Sequence, residues 1–189
     1  MKGLFELDRY LIRRKVLKVL GASFHVYSGD KVVGFCDQKA FKLKEDIKIF
    51  TDESKSEMLL SVQARQIVDF AAAYDIVDPA EGKKIGAARR KGFKSMVRDS
   101  WELLDENDAP IAQLQEDSTM MAMLRRFLSN LIPQTFKISS MDGENATLKQ
   151  HFNPFVYRLE VSLEHDNEID PRLIFGIAVL VAAIEGRQS

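Results

Sequence analysis

Short runs of alternating apolar and polar residues recur along this chain, with turn residues between them. The clearest is the last. Tyr157, Leu159, Val161 and Leu163 fall on one face, and Arg158, Glu160, Ser162 and Glu164 on the other. A period of two predicts a β-strand with one dry and one wet face. Five further pairs of runs read as hairpins: Phe24–Tyr27 with Lys31–Phe35, Asp46–Thr51 with Met58–Ala64, Tyr74–Val77 with Lys84–Ala88, Trp101–Leu104 with Pro110–Leu114, and Phe136–Ile138 with Ala146–Phe152. Each pair is joined by Asp, Asn, Gly, Ser or Pro, which tolerate turn geometry. The leading residues Phe24, Ile47, Tyr74, Trp101 and Phe136 stand 23, 27, 27 and 35 residues apart. With Tyr10–Leu17 in front and Tyr157–Glu164 behind, the pattern predicts a twelve-stranded antiparallel meander.

Two segments break the period. In the long last gap, Met120, Met121, Leu124, Phe127, Leu128 and Leu131 follow helical spacing, with Arg125 and Arg126 opposite. This predicts a helix over 118–131, stopped by Pro133, which either plugs one end of the fold or rests on a membrane or partner. Near the end of the chain, Leu173 to Ile184 has no polar residue on any face. Asp170 suits an N-cap and Pro171 a first helical position. A helix apolar all round must be buried all round. The strands alone fit a sandwich or a barrel equally. A sandwich has no slot for such a helix, whereas the lumen of a closed twelve-stranded barrel is too wide for strand side chains alone to fill. The small residues Gly176, Ala178, Ala182 and Ala183 would let the walls approach closely. Twelve residues fall short of the roughly 20 that cross a membrane, so no transmembrane span is expected.

A meander of hairpins ending in one apolar helix resembles the Tubby C-terminal-like superfamily, which holds Tubby proteins, phospholipid scramblases and LURP-one-related proteins. The resemblance runs from Tyr10 to Gly186. It is carried by FHVYSGDKVVGFCDQK, YDIVDPAEGKKIGAARRKG, WELLDENDAPIAQLQED and DPRLIFGIAVLVAAIEG, and hairpin style and length look closest to the LURP-one-related and scramblase-like branch. It implies a single barrel domain over 1–189 that works at lipid or membrane surfaces without metabolic chemistry. Tubby domains bind phosphoinositide headgroups through basic residues, and scramblases are calcium-responsive. The cysteine-rich and proline-rich stretches of animal scramblases have no counterpart here.

Composition adds exclusions. The 189 residues carry 27 Lys and Arg against 28 Asp and Glu, a net charge of −1, which speaks against a globally basic nucleic-acid binder. At 46% apolar the chain can bury a core. The single cysteine, Cys36, permits neither an internal disulfide nor a cysteine zinc site, fits a reducing compartment, and reads as a plain strand residue. Charges from Glu6 to Lys15 interrupt any signal-peptide core, so a cytoplasmic protein, peripheral at most to a membrane, is expected. His25, His151 and His165 are far apart, and no GxSxG, GxGxxG, P-loop or HExxH motif occurs. No enzyme chemistry is expected.

Three candidate sites remain. Lys83, Lys84, Arg89, Arg90, Lys91, Lys94 and Arg98 occupy 16 positions without an acid. Such a stretch would attract phosphates and anionic headgroups, or it is a solvated strand edge in which Lys guards against edge pairing. Arg13, Arg14, Lys15 and Lys18 form a weaker basic group. Glu164, Asp166, Glu168 and Asp170 alternate before the terminal helix, where the resemblance makes calcium a question. Hard cations want several carboxylates, but the loop lacks an EF-hand glycine and Asp170 has work enough as a cap. The expected function is therefore a binding module for anionic headgroups. The alternatives are a protein-interaction module using the 118–131 helix or the barrel rim, or a calcium-responsive, scramblase-like switch.

Overall fold

The structure, a computed structural model, describes residues 3–15, 22–38, 46–65, 72–90, 100–117, 133–153 and 155–185. The helix expected over 118–131 lies outside them. A 3-10 turn (Leu4–Glu6) leads into β1 (Arg9–Lys15), β2 (Ala22–Ser28), β3 (Lys31–Gln38), β4 (Asp46–Phe50), β5 (Met58–Ala64) and β6 (Ala73–Asp78). There follow β7 (Lys83–Arg90), β8 (Ser100–Leu104), β9 (Pro110–Glu116), β10 (Thr135–Ser139), β11 (Glu144–His151), β12 (Val156–Leu163) and the helix α1 (Pro171–Glu185). Each strand pairs antiparallel with its neighbours in sequence, and β1 closes on β12 from Arg9↔Ser162 to Lys15↔Val156. The meander is thus a closed barrel of twelve strands, as the pattern predicts, and closure leaves no free edge.

The hairpins share a device that composition does not display. In all five, the register slips next to the turn. The extra residue is always on the second strand: Val33, Leu59, Ile85, Ile111 and Asn145. The first four stand 26 residues apart. A bulge bends its strand and sharpens its twist, and one bulge per hairpin spreads the curvature that closure needs. Each turn also holds one residue at positive φ: Gly29, Lys55, Gly82, Asp108 and Gly143. Asp52, Asp78 and Asp105 fold their turns by accepting backbone N–H groups two residues on, at 2.8–2.9 Å.

Inward-facing residues alternate as expected. Ile12, Phe24, Val26, Ile47, Ile49, Leu60, Val62 and Ile76 are fully buried on one half of the wall, and Leu103, Leu114, Ile138, Leu148, Leu159 and Val161 on the other. Cys36 is among them, and burial pushes its thiol pKa well up, which keeps it protonated. Along α1, Leu173 to Phe175 and Ile177 to Ala183 are at most 3% exposed, and Gly176 between them is buried. The helix lies inside the barrel. Two glycines make this possible. A Cβ on Gly86 in β7 would stand 2.4 Å from the Leu104 carbonyl oxygen and 3.0 Å from Leu173, and one on Gly176 would meet Ile76 at 2.8 Å.

Both ends of α1 are anchored. At its start, the Asp170 carboxylate accepts the Arg172 N–H at 2.8 Å, the expected cap. The Arg172 guanidinium donates to Asp170 at 2.8 Å and to Asp78, at the end of β6, at 2.9 Å. At its end, Arg14 of β1 donates to the Ala183 carbonyl at 3.1 Å, bringing positive charge to the negative pole of the helix. Phe5 packs edge-on against Phe175, with ring centroids 5.7 Å apart.

Candidate functional site

The basic stretch is divided by the strand that carries it. Lys83 and Lys84 open β7 beside the tight turns, whereas Arg89 and Arg90 close it at the other end. The first three are matched by acids. Lys83 meets Glu106 at 2.7 Å, Lys84 meets Asp108 at 2.6 Å, and Arg89 meets Glu102 at 2.5 Å. Glu106 holds the Lys83 ammonium above its ordinary pKa, and Arg65 and Lys84 hold the Asp108 carboxyl below its own. Arg90 lies over the Trp101 ring at 5.8 Å. Alternation sends Arg90 to the same face as Ala88 and away from Arg89, so the four do not converge. Lys91, Lys94 and Arg98 lie outside the described residues.

The second basic group is divided too. Arg13 points outward and stacks on Tyr27 at 4.1 Å, while Arg14 points inward over Phe24 to cap α1. Lys15 ends β1, with its side chain outside the described set, and Lys18 lies outside it altogether.

Cross-strand pairing hides a larger charge asymmetry, which the topology exposes. In a meander, alternate connections leave from opposite ends of the strands. The five hairpin turns and the segment 164–170 before α1 carry thirteen Asp and Glu and one Lys. The six connections at the other end (16–21, 39–45, 65–72, 91–99, 117–134 and 152–155) carry ten Lys and Arg against four acids. Of these ten, Arg65 is turned toward the acidic set, donating to Asp75 and Asp108 at 2.5 Å each. The axis of α1 runs the same way. Its N-terminus, the positive pole, lies among the acids, and its C-terminus lies at the basic end.

The acids that alternate before α1 have separate surroundings. Among the described residues no group of three or more His, Cys, Asp or Glu side chains is arranged to hold a metal ion. Asp170 faces the Arg172 guanidinium and the helix N–H, which leaves its oxygens committed. Glu164, Asp166 and Glu168 are exposed. The loop is pinned instead by Asn145, the bulge residue of the last hairpin, whose Oδ1 accepts the Glu168 N–H at 3.2 Å. Burial works to raise the Asp170 pKa but is outweighed by the hydrogen bonds and charge of Arg172, and the carboxyl sits below its ordinary value. The histidines are dispersed. His25 meets Glu53 at 2.5 Å and His151 meets Glu160 at 3.0 Å, both on the outer wall.

The fold is a twelve-stranded closed barrel threaded by its own C-terminal helix, and the sequence was compared with family models. The LURP-one-related model matches residues 32–182, from β3 into α1. The chain belongs to the LURP-one-related family. That family sits within the Tubby C-terminal-like superfamily. The match leaves out β1 and β2, yet in this LURP-one-related protein both are built into the wall, β2 on β3 and β1 on β12. No curated protein matches the chain. No helix among the described residues is long and apolar enough to cross a membrane.

Two features of this LURP-one-related barrel escape a linear reading. Arg14 and Arg172 look like ordinary charged residues, and only their contacts at the two ends of α1 show them to be helix anchors. Ile111 and Met141 look like ordinary strand and turn residues, yet both stand exposed, side by side, on the outer wall. The only linear sign was a methionine in a polar turn.

Proposed function

We propose that this LURP-one-related protein is a non-enzymatic binding module that docks on anionic phospholipid surfaces through the barrel end at which α1 terminates. The separation of charge between the two sets of connections supports this reading. A net charge of −1 gives no attraction to an anionic surface at long range, but with Arg65 set aside the connections leaving that end still carry nine cations against four acids, which orients the molecule. The reading moves the site within the basic stretch. Lys83 and Lys84 sit at the acidic end with carboxylate partners, so Lys91, Lys94 and Arg98 carry the binding.

Co-sedimentation tests it. The probes are vesicles of phosphatidylcholine alone, and vesicles that also contain phosphatidylserine and a phosphoinositide, each at low and high salt. Binding is expected to the anionic vesicles only and to weaken with salt. At about 1 kcal/mol per cation near anionic lipid, reversing Lys91, Lys94 and Arg98 to Glu lowers binding by about a hundredfold or more. Lys83→Glu with Lys84→Glu leaves it within severalfold. Equal losses from both variants, or no binding by the unaltered protein, refutes the reading.

A further inference from the structure

The bulge positions offer an internal comparison. Val33, Leu59 and Ile85 are partly buried and pack against the core. Asn145, in the fifth hairpin, is held by hydrogen bonds to Ser140 and Gly143 at 3.0 and 3.1 Å. Ile111, in the fourth, is 37% exposed and has no such cover. Next to it Met141, in the β10–β11 turn, is exposed in full. Two adjacent hollows of about 520 and 580 Å³ share Pro110, Ile111, Ser140 and Met141 as a common wall. The first spreads over the outer face of β8, β9 and β10 toward Gln113, Gln115 and Lys137. The second opens beside the start of α1.

The chemistry of the second hollow selects its occupant. Five carboxylates line it and no Lys or Arg does. Three are committed: Asp105 to its own turn, Glu106 to Lys83 and Asp170 to Arg172. The side chains of Asp142 and Glu168 have neither a hydrogen bond nor an ion pair to another described residue. An exposed apolar pair thus stands beside two uncompensated carboxylates. A lipid surface carrying negative charge is repelled there, and among the described residues no three acids are arranged to hold a metal ion. A ligand with an apolar side chain flanked by cations is complementary on both counts.

We propose that Ile111 and Met141, with Asp142 and Glu168, form a docking surface for a cationic segment of a protein partner, in which Lys or Arg residues flank a large apolar side chain. This surface lies at the end of the barrel opposite the proposed lipid-binding end and does not depend on it.

Fluorescence anisotropy with labelled hexapeptides tests the surface on the full chain. The probe is Lys-Lys-Leu-Leu-Lys-Lys, with Lys-Lys-Ser-Ser-Lys-Lys and Glu-Glu-Leu-Leu-Glu-Glu as controls. The Leu-containing cationic peptide is expected to bind best. Asp142→Lys with Glu168→Lys weakens it by about tenfold or more, Met141→Ser weakens it with little change in salt dependence, and Lys91→Glu with Lys94→Glu leaves it unchanged. Circular dichroism and melting confirm that each variant is folded; both Asp142 and Glu168 are exposed, so the reversal leaves the core intact. Equal binding of the Ser peptide reduces the surface to a charged patch and overturns the proposal, as does unaltered binding by the charge-reversed variant. Concentration-dependent self-association that disappears in that variant assigns the surface to a second copy of the chain and overturns the choice of partner.

Discussion

Asp170 shows how one side chain can do two jobs at once. Its place before Pro171 marks it as a cap from sequence. The guanidinium that also claims it comes from Arg172, and the same group reaches Asp78, 94 residues earlier. Because the folded-state pKa of Asp170 is depressed, its ionised form contributes stability at neutral pH, and that contribution is lost as pH falls below the ordinary carboxylate value. Asp170→Asn keeps a capping oxygen and loses the ion pair. Its urea midpoint is therefore expected below that of the wild type at pH 7. The gap should start to close near pH 4 and continue closing below it. A gap constant down to strongly acidic pH would show that the pairing with Arg172 contributes nothing. Calcium was a fair question for a run of four alternating acids. Coordination requires convergence, which a sequence cannot display, and among the described residues no three acids are arranged to hold an ion.

At the scale of elements, strand spans, turn chemistry and the terminal helix were all legible, because each is set by local rules: alternation, turn residues and a cap. The repeated bulge was not legible, because an extra residue in a strand looks like an ordinary alternation error until its partner strand is known. The two tight glycines separate two kinds of contact. Gly176→Ala gains helix propensity of roughly 1 kcal/mol and presses on the Ile76 side chain, which can shift. Gly86→Ala presses on the Leu104 backbone oxygen at 2.4 Å, which cannot move without disturbing the β7–β8 pairing. Urea unfolding should show Gly86→Ala destabilised by about 1–3 kcal/mol, with Gly176→Ala distinctly milder. The reverse order would mean that the start of α1 is looser than its contact with Gly86 implies.

For the whole molecule, the helix is the core. Deleting residues 173–184 removes the filling from a lumen that the strands cannot close over, so the product is expected to lose its strand signal in circular dichroism or to aggregate on sedimentation. A folded monomer would contradict the buried role of α1. Charge behaves differently from packing at this scale. The cation run from Lys83 to Arg98 was visible at once, but β7 splits it between the two ends of the barrel and cross-strand acids neutralise its first half. Only the meander, by sending alternate connections to opposite ends, sorts a nearly neutral chain into an acidic end and a basic one. The sequence by itself determined the strands, their order and the need for an enclosed helix, because hydrophobic periodicity and chain connectivity are local and additive. Tertiary structure alone decided where charges meet, which arginines turn inward, and that Ile111 and Met141 stand together beside unpaired carboxylates. Those are properties of register and closure, and they bring together residues that the chain keeps far apart.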